Sequence, residues 1–274
     1  MTLLSTLLLM AGGVVAGSFG ALLGLGGGVF LIPFLVLVLH VPMHEAIATS
    51  IISVIATSST GGAMNVERSI VNIRLGMVLE IVTVIGAIGG GLTASALAGP
   101  LLVKIFAIIL VVISIMMAFG ERLSKLSAPE SPSARPFLPG RYADPATGSE
   151  VTYSVRNLPG TMAVSLLAGN VSGLLGLGGG IFKVPAMHLI SGVPIKAATA
   201  TSNFMIGVTA AAGAFIYFSE GHLNSHIAAP AVLGVMVGSF LGIRMGRKIN
   251  PSALKWIFIL VLLFASFQLL ARST

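Results

Sequence analysis

Two glycine runs carry the residue types and spacing most suggestive of chemistry: Gly24-Leu25-Gly26-Gly27-Gly28 and Gly176-Leu177-Gly178-Gly179-Gly180. Their surroundings, 17–34 and 169–186, agree at ten of eighteen positions at a constant offset of 152. A glycine inside a helix costs roughly 1 kcal/mol relative to alanine, so four in five should break the apolar segment that holds them. Gly26, Gly27 and Gly28 then stand at the N-terminus of one short helix. Gly178, Gly179 and Gly180 stand at the N-terminus of another. A helix N-terminus offers free N–H groups and partial positive charge, and glycine lets a ligand approach the backbone. The chemistry implied is the holding of a small oxyanion. Close helix packing is the competing role for small residues in membranes, but packing motifs are spaced rather than contiguous.

Other polar residues fall near these runs. Lys183 follows the second run and replaces Leu31 of the first. It is read either as a cation beside the anion or as a lysine reaching for the interface. Thr49 and Ser50 repeat as Thr201 and Ser202, with Asn203 next. Their hydroxyls and amide could line an anion path, or fasten helices together. Glu80 is the acid well inside an apolar span, which makes it a candidate for proton coupling. His40 and His44 are four apart, as are His222 and His226, but Pro42 spoils the first pair and the second lacks acidic company. No metal or other cofactor is expected. Walker, HExxH and GxSxG patterns are absent, so neither ATP-driven transport by this chain nor catalysis is expected.

The elements that must position these residues are membrane helices. Mean hydropathy is +1.03, 55% of the residues are hydrophobic and 8% are charged. A soluble domain carries about 25% charged residues. Apolar runs approach or exceed the roughly 20 residues that span a bilayer and do not alternate as barrel strands do. With no cysteine, disulfides and thiol chemistry are excluded. The net charge of +7 is read as loop charge on one side of a membrane, not as a nucleic-acid surface. The first apolar segment lacks a basic leader and is taken as mature protein.

Apolar segments are expected at 3–25, 29–39, 46–64, 73–97 and 101–119. The plan recurs at 158–177, 181–190, 197–218, 227–243 and 254–270. Between them, 121–157 holds Glu121, Arg122, Lys125, Arg135, Arg141 and Arg156 with five prolines. That composition predicts an extended linker with at most a short ordered turn. The organisation expected is a first transmembrane repeat (1–120), a cytoplasmic linker (121–157) and a second repeat (158–274).

Charge decides how the repeats relate. Four full crossings per half would make the halves parallel and strand Arg244, Arg247, Lys248 and Lys255 outside. An odd net number of crossings inverts them. Arg68, Arg74, the linker, Lys196 and the 244–255 group then share the cytoplasm, leaving little beyond Lys104 and Arg272 outside. The fold class expected is an all-α polytopic membrane protein of two inverted repeats. Each repeat has a Gly-broken unit plus three long transmembrane helices, and both termini lie outside. Whether the Gly-broken unit crosses or re-enters is left open.

The duplicated Gly-Leu-Gly-Gly-Gly, the following Pro33 and Pro185, and the repeated Ala-Thr-Ser stretch resemble the TauE/SafE family of sulfite exporters across both halves. The resemblance implies a bacterial or archaeal inner-membrane transporter of sulfite, sulfoacetate or related organosulfur anions, usually by export. The physical reading reaches only a small anion. An anion channel with the same site is the alternative, and a membrane enzyme is disfavoured by the lack of a nucleophile or metal constellation. The partners expected are the anion and the lipid bilayer, with no nucleic acid; a homodimer is left open.

Overall fold

Glycine, proline and asparagine mark the helix ends. The computed structural model describes residues 3–23, 26–67, 69–126, 138–143, 149–245 and 251–273. The first half contains α1 (Leu3–Leu23), α2 (Gly28–Leu37), α3 (Met43–Glu67), α4 (Ile73–Ala96) and α5 (Gly99–Leu126). Strands β1 (Gly140–Ala143) and β2 (Glu150–Tyr153) follow. The second half contains α6 (Leu158–Leu175), α7 (Gly180–Pro185) continuing into a π-turn (Ala186–Ile190), α8 (Ile195–Ser219), α9 (Ser225–Met245) and α10 (Pro251–Ser273). Asn72 caps α4 by accepting the Leu75 N–H, and Asn157 caps α6 by accepting the Gly160 N–H. Gly176, at φ 68, closes α6 by donating its N–H to the Ser172 carbonyl. Pro33 and Pro185 lie inside the short helices, where each removes a backbone donor.

The protein is an all-α polytopic membrane protein. Among the described residues, seven helices are long and apolar enough to cross a bilayer. The outer faces are apolar: Leu7, Ile81, Leu167, Phe215, Leu260 and Phe267 are all exposed. Polar side chains are drawn inward instead, as with the buried Thr49, Ser53, Thr83, Ser114, Thr209 and Ser266.

Spaced glycines set the helix pairs. A Cβ at Gly234, Gly238 or Gly242 of α9 would strike Met10, Val14 or Ser18 of α1, so these helices run parallel in tight contact. Gly86 and Gly90 of α4 press likewise on Leu166 and Asn170 of α6, while Gly169 and Gly173 of α6 press on Thr83 and Ala87. Glycines four apart let the backbones touch. The two pairings are reciprocal, since α9 and α4 are equivalent elements, as are α1 and α6.

The contiguous glycines behave differently. After Gly27 the chain turns back. Phe34 of α2 lies over Gly12 of α1, and Phe30 packs on Phe19 with ring centroids 5.1 Å apart. The second run does the same: Gly179 lies against Ala168 and Ser172, and Ser191 bonds Thr161 at 2.6 Å. Each Gly-broken unit is thus a helical hairpin whose two ends lie on the same side of the bundle.

The two hairpins start from opposite ends of the bundle. One end gathers His44 with His222 (rings stacked at 4.8 Å), Asn224 with Glu45, and Arg272 with His40. The α1–α2 hairpin opens there. At the other end the β-hairpin docks. Tyr142 and Val155 are buried against Leu75, Leu79, Met187, Val193 and Ala197, and the Arg156 N–H donates to the Ser191 carbonyl. The α6–α7 hairpin opens there. Helices α3 and α8 run antiparallel between the ends, with Ser58 against Asn203 and Gly207, and Ile51 against Gly213.

The connecting segment is more ordered than expected in two respects. Helix α5 runs to Leu126, beyond the expected break at 120. The 121–157 segment also contains an antiparallel hairpin, with Gly140 opposite Tyr153 and Ala143 opposite Glu150. Burial in this contact raises the pKa of the Tyr153 phenol, which keeps it neutral. Residues 127–137 and 144–148, where most of the linker prolines lie, are outside the described residues.

Candidate functional site

The two glycine turns meet at one place. A Cβ built on Gly26 would lie 3.2 Å from Val54 and 3.5 Å from Ile206. A Cβ on Gly178 would lie 2.7 Å from Ile206 and 2.9 Å from Val54. Val54 and Ile206 are themselves related by the offset of 152, and each sits mid-way along its helix, α3 or α8. Gly26, Gly27, Gly178 and Gly179 have φ between 70° and 81°, the left-handed region that favours glycine. The Gly27 carbonyl accepts from Phe30 and Leu31, and the Gly179 carbonyl accepts from Phe182 and Lys183. The amides before those donors precede the helical ladder and lack acceptors within the helix. Two short helices therefore begin beside the same pair of side chains, in the middle of the bundle.

The first turn of α2 also packs against the opposite half. Ser50 Oγ donates to the Gly176 carbonyl at 2.8 Å, and a Cβ at Gly28 would collide with both groups. The repeated hydroxyls divide their work. Thr201 Oγ1 accepts the Asn72 N–H at 3.0 Å, so this residue anchors the start of α4. Thr49 and Ser202 are fully buried, and their hydroxyl oxygens have no hydrogen-bond partner. Asn203 takes part through its backbone, whose carbonyl accepts from Ser58 Oγ at 2.5 Å.

Lys183 and Glu80, separate candidates in the sequence, form one unit. Lys183 is completely buried. Its Nζ donates to Thr209 Oγ1 at 2.7 Å and stands 3.6 Å from Glu80 Oε2. Thr209 Oγ1 donates in turn to Glu80 Oε1 at 2.5 Å. Glu80 Oε2 accepts no hydrogen bond. The snorkelling reading of Lys183 is overturned, because its side chain turns inward to α4 and α8. Glu80 is buried as well, 9% exposed on α4, which packs on α6 and α8. The two members come from different halves of the chain, so the ion pair ties the repeats together.

Sequence reading missed Thr209, although a signal existed: Thr57 precedes it by the same 152 residues. It also missed Ser165, buried and without a partner on α6. Ser165 lies between Thr161, which bonds Ser191, and Ala168, which faces Gly179. That register sets it along α7 near the level of Lys183.

A family model described as "Sulfite exporter TauE/SafE" matches residues 9–269. The chain belongs to the TauE/SafE family. The match spans both halves and the linker, so both glycine hairpins and the Lys183–Glu80 pair fall inside the family's region. "Probable membrane transporter protein YunE" of Bacillus subtilis is 28% identical over 97% of this TauE/SafE chain and 98% of its own length. "Probable membrane transporter protein MJ0441" of Methanocaldococcus jannaschii is 25% identical over 90% of the chain and 89% of its own length. "Probable membrane transporter protein YdhB", also of Bacillus subtilis, is 23% identical over 89% of both. No solved structure gives a significant match.

Proposed function

We propose that this TauE/SafE protein is a secondary transporter that exports a small oxyanion, of the sulfite or sulfoacetate type, across the inner membrane by alternating access. The observation that carries the proposal is the meeting of the two glycine turns at Val54 and Ile206. Each turn brings a helix N-terminus to mid-bundle, one from each end. Amides that precede a helical ladder, brought from two sides to the same pair of side chains, suit an anion that passes between two access routes. The substrate contacts assigned are the backbone of Gly26, Gly27, Gly28, Gly178, Gly179 and Gly180, with Lys183, Thr49, Ser50, Thr201, Ser202 and Asn203 around them. Glu80 is the coupling residue. Sulfur chemistry and export come from the family description alone.

In this reading the halves are inverted in the bilayer and both termini lie outside. Arg74, Arg141, Arg156 and Lys196 then share the cytoplasmic end, and Lys104 and Arg272 the outer one, as the positive-inside rule favours. The packing of Val54 and Ile206 between the glycine turns describes a closed centre, a state that a carrier visits in each cycle and an open channel does not. The test is a thermal-shift panel of sulfite, sulfate, thiosulfate, sulfoacetate and small carboxylates, since a bound ligand stabilises the folded state. Flux follows in proteoliposomes. Stabilisation by sulfur oxyanions with accumulation against a gradient supports the carrier. Flux that never exceeds electrochemical equilibrium would move the protein to the channel class.

A further inference from the structure

The ion pair between Lys183 and Glu80 has one satisfied side and one bare side. Glu80 Oε1 receives the Thr209 hydroxyl at 2.5 Å, while Oε2, also buried, accepts no hydrogen bond and faces Lys183 Nζ at 3.6 Å. We propose that the transported anion and the Glu80 carboxylate compete for the Lys183 ammonium, so that each anion bound brings one proton onto Glu80 Oε2. The proposal rests on the reading of Lys183 as an anion-binding residue and adds a stoichiometry and a mechanism to it.

Charge balance supplies the reason. Lys183 and Glu80 together are neutral, and among the described residues the elements around them offer no other charge; the docked β-hairpin adds the phenols of Tyr142 and Tyr153 to the packing on Leu75 and Leu79. Helix α6 presents Thr161 and Ser165 but no titratable side chain. Helix α8 presents Thr209, with Lys196 at its first turn and Glu220 beyond its far end. In α7 the titratable residue is Lys183 itself, and the π-turn adds His188, whose Nδ1 is engaged with the Val193 carbonyl. On α4, Arg74 is exposed at the linker end. An anion reaching Lys183 would leave an excess negative charge in an apolar interior, which is strongly disfavoured. Protonation of Oε2 removes that excess. The step forms one O–H bond with a proton from the water on whichever side the site faces, and nothing is oxidised or reduced.

The stoichiometry follows from the duplication. At the offset of 152, Leu31 corresponds to Lys183 and Val232 to Glu80, while Thr57 keeps the hydroxyl of Thr209. One half carries a charged pair and the other an apolar one, so there is one carboxylate to titrate. A monovalent anion then crosses together with one proton and carries no net charge, so export runs down the anion's own gradient and does not draw on the membrane potential.

The experiment is calorimetric titration of the purified full-length protein with sulfite, sulfoacetate and methanesulfonate. It is run in buffers of different ionisation enthalpy, with sulfite's own protonation subtracted. The expected result is uptake of one proton by the protein per monoanion bound, methanesulfonate or hydrogensulfite, with Kd rising tenfold per pH unit above neutrality. Glu80→Gln leaves no carboxylate to compete for Lys183 and should bind the anion at least tenfold more tightly than the native protein at neutral pH. Anion binding by the native protein without proton uptake overturns the coupling and leaves the anion site standing. So does a Glu80→Gln protein that binds the anion no more tightly than the native protein at neutral pH. If none of the three anions binds the native protein, the site and the coupling fall together. The native-protein measurement decides the matter even if the variant does not fold.

Discussion

Gly26 and Gly178 occupy equivalent places in identical motifs, yet the structure predicts different costs for the same substitution. Both are left-handed, at φ 81° and 76°. An alanine in that conformation costs about 1–2 kcal/mol. At Gly26 the new methyl would find its nearest neighbours at 3.2 to 3.5 Å, a snug but tolerable fit. At Gly178 it would meet Ile206 Cγ2 at 2.7 Å and Val54 Cγ1 at 2.9 Å, which requires those side chains to move. Overpacking of this kind adds about 1–3 kcal/mol. Gly178→Ala should therefore lose about 2–5 kcal/mol and Gly26→Ala about 1–2 kcal/mol. At about 2–4 °C per kcal/mol for a chain near this size, the difference is several degrees in Tm. Thermal unfolding of each purified variant in detergent measures it. Ile206→Ala removes the closer methyl, so the double variant Gly178→Ala/Ile206→Ala should show a smaller loss than the sum of the singles. Equal losses at Gly26 and Gly178, or strict additivity in the double variant, would refute the packing described at the centre.

Other outcomes are open to direct measurement. Gly27→Leu and Gly179→Leu should each abolish sulfite or sulfonate binding in the thermal-shift panel while the protein still inserts in the membrane; retained affinity would return these glycines to a packing role. Thr209→Val keeps the shape but deletes the bridge between Lys183 and Glu80, and should cost about 1–3 kcal/mol in unfolding stability; an unchanged Tm would count against the triad. Because the chain has no cysteine, single substitutions report topology: His222→Cys should react with an impermeant thiol reagent from outside the cell and Arg141→Cys from inside. Labelling of both from one face would sink the inverted arrangement.

The long helices were legible because a membrane span needs a continuous apolar run, and α3, α4, α8 and α9 begin and end within a few residues of the runs read from composition. The glycine turns were legible because breaking a helix is a local property. Their course was not. A short segment of ten residues such as α2 covers half a bilayer whether it returns or continues, and only contacts such as Phe34 over Gly12 distinguish the two. The Lys183–Glu80 pair was invisible for a different reason. Its members lie 103 residues apart in different repeats, and neither flanking sequence records the other. Thr201 shows the limit of symmetry as a guide: it repeats Thr49, but one hydroxyl accepts a backbone N–H and the other has no partner. The β-hairpin hid inside a segment whose prolines and charges signal extended chain.

That β-hairpin has an energetic consequence for a carrier built from two similar halves. If the halves were equal, exchanging their conformations would convert one open state into the other at no net cost, and both would be equally populated at rest. The β-hairpin removes this degeneracy by burying Tyr142 and Val155 at one end. Opening that end by undocking the β-hairpin would expose two large side chains, at about 1.5–3 kcal/mol each. In the carrier proposed above, the resting population would then be weighted by two to four powers of ten toward the state closed on the linker side. The connection between the repeats would thereby act as the spring that sets which door stands shut when nothing is bound.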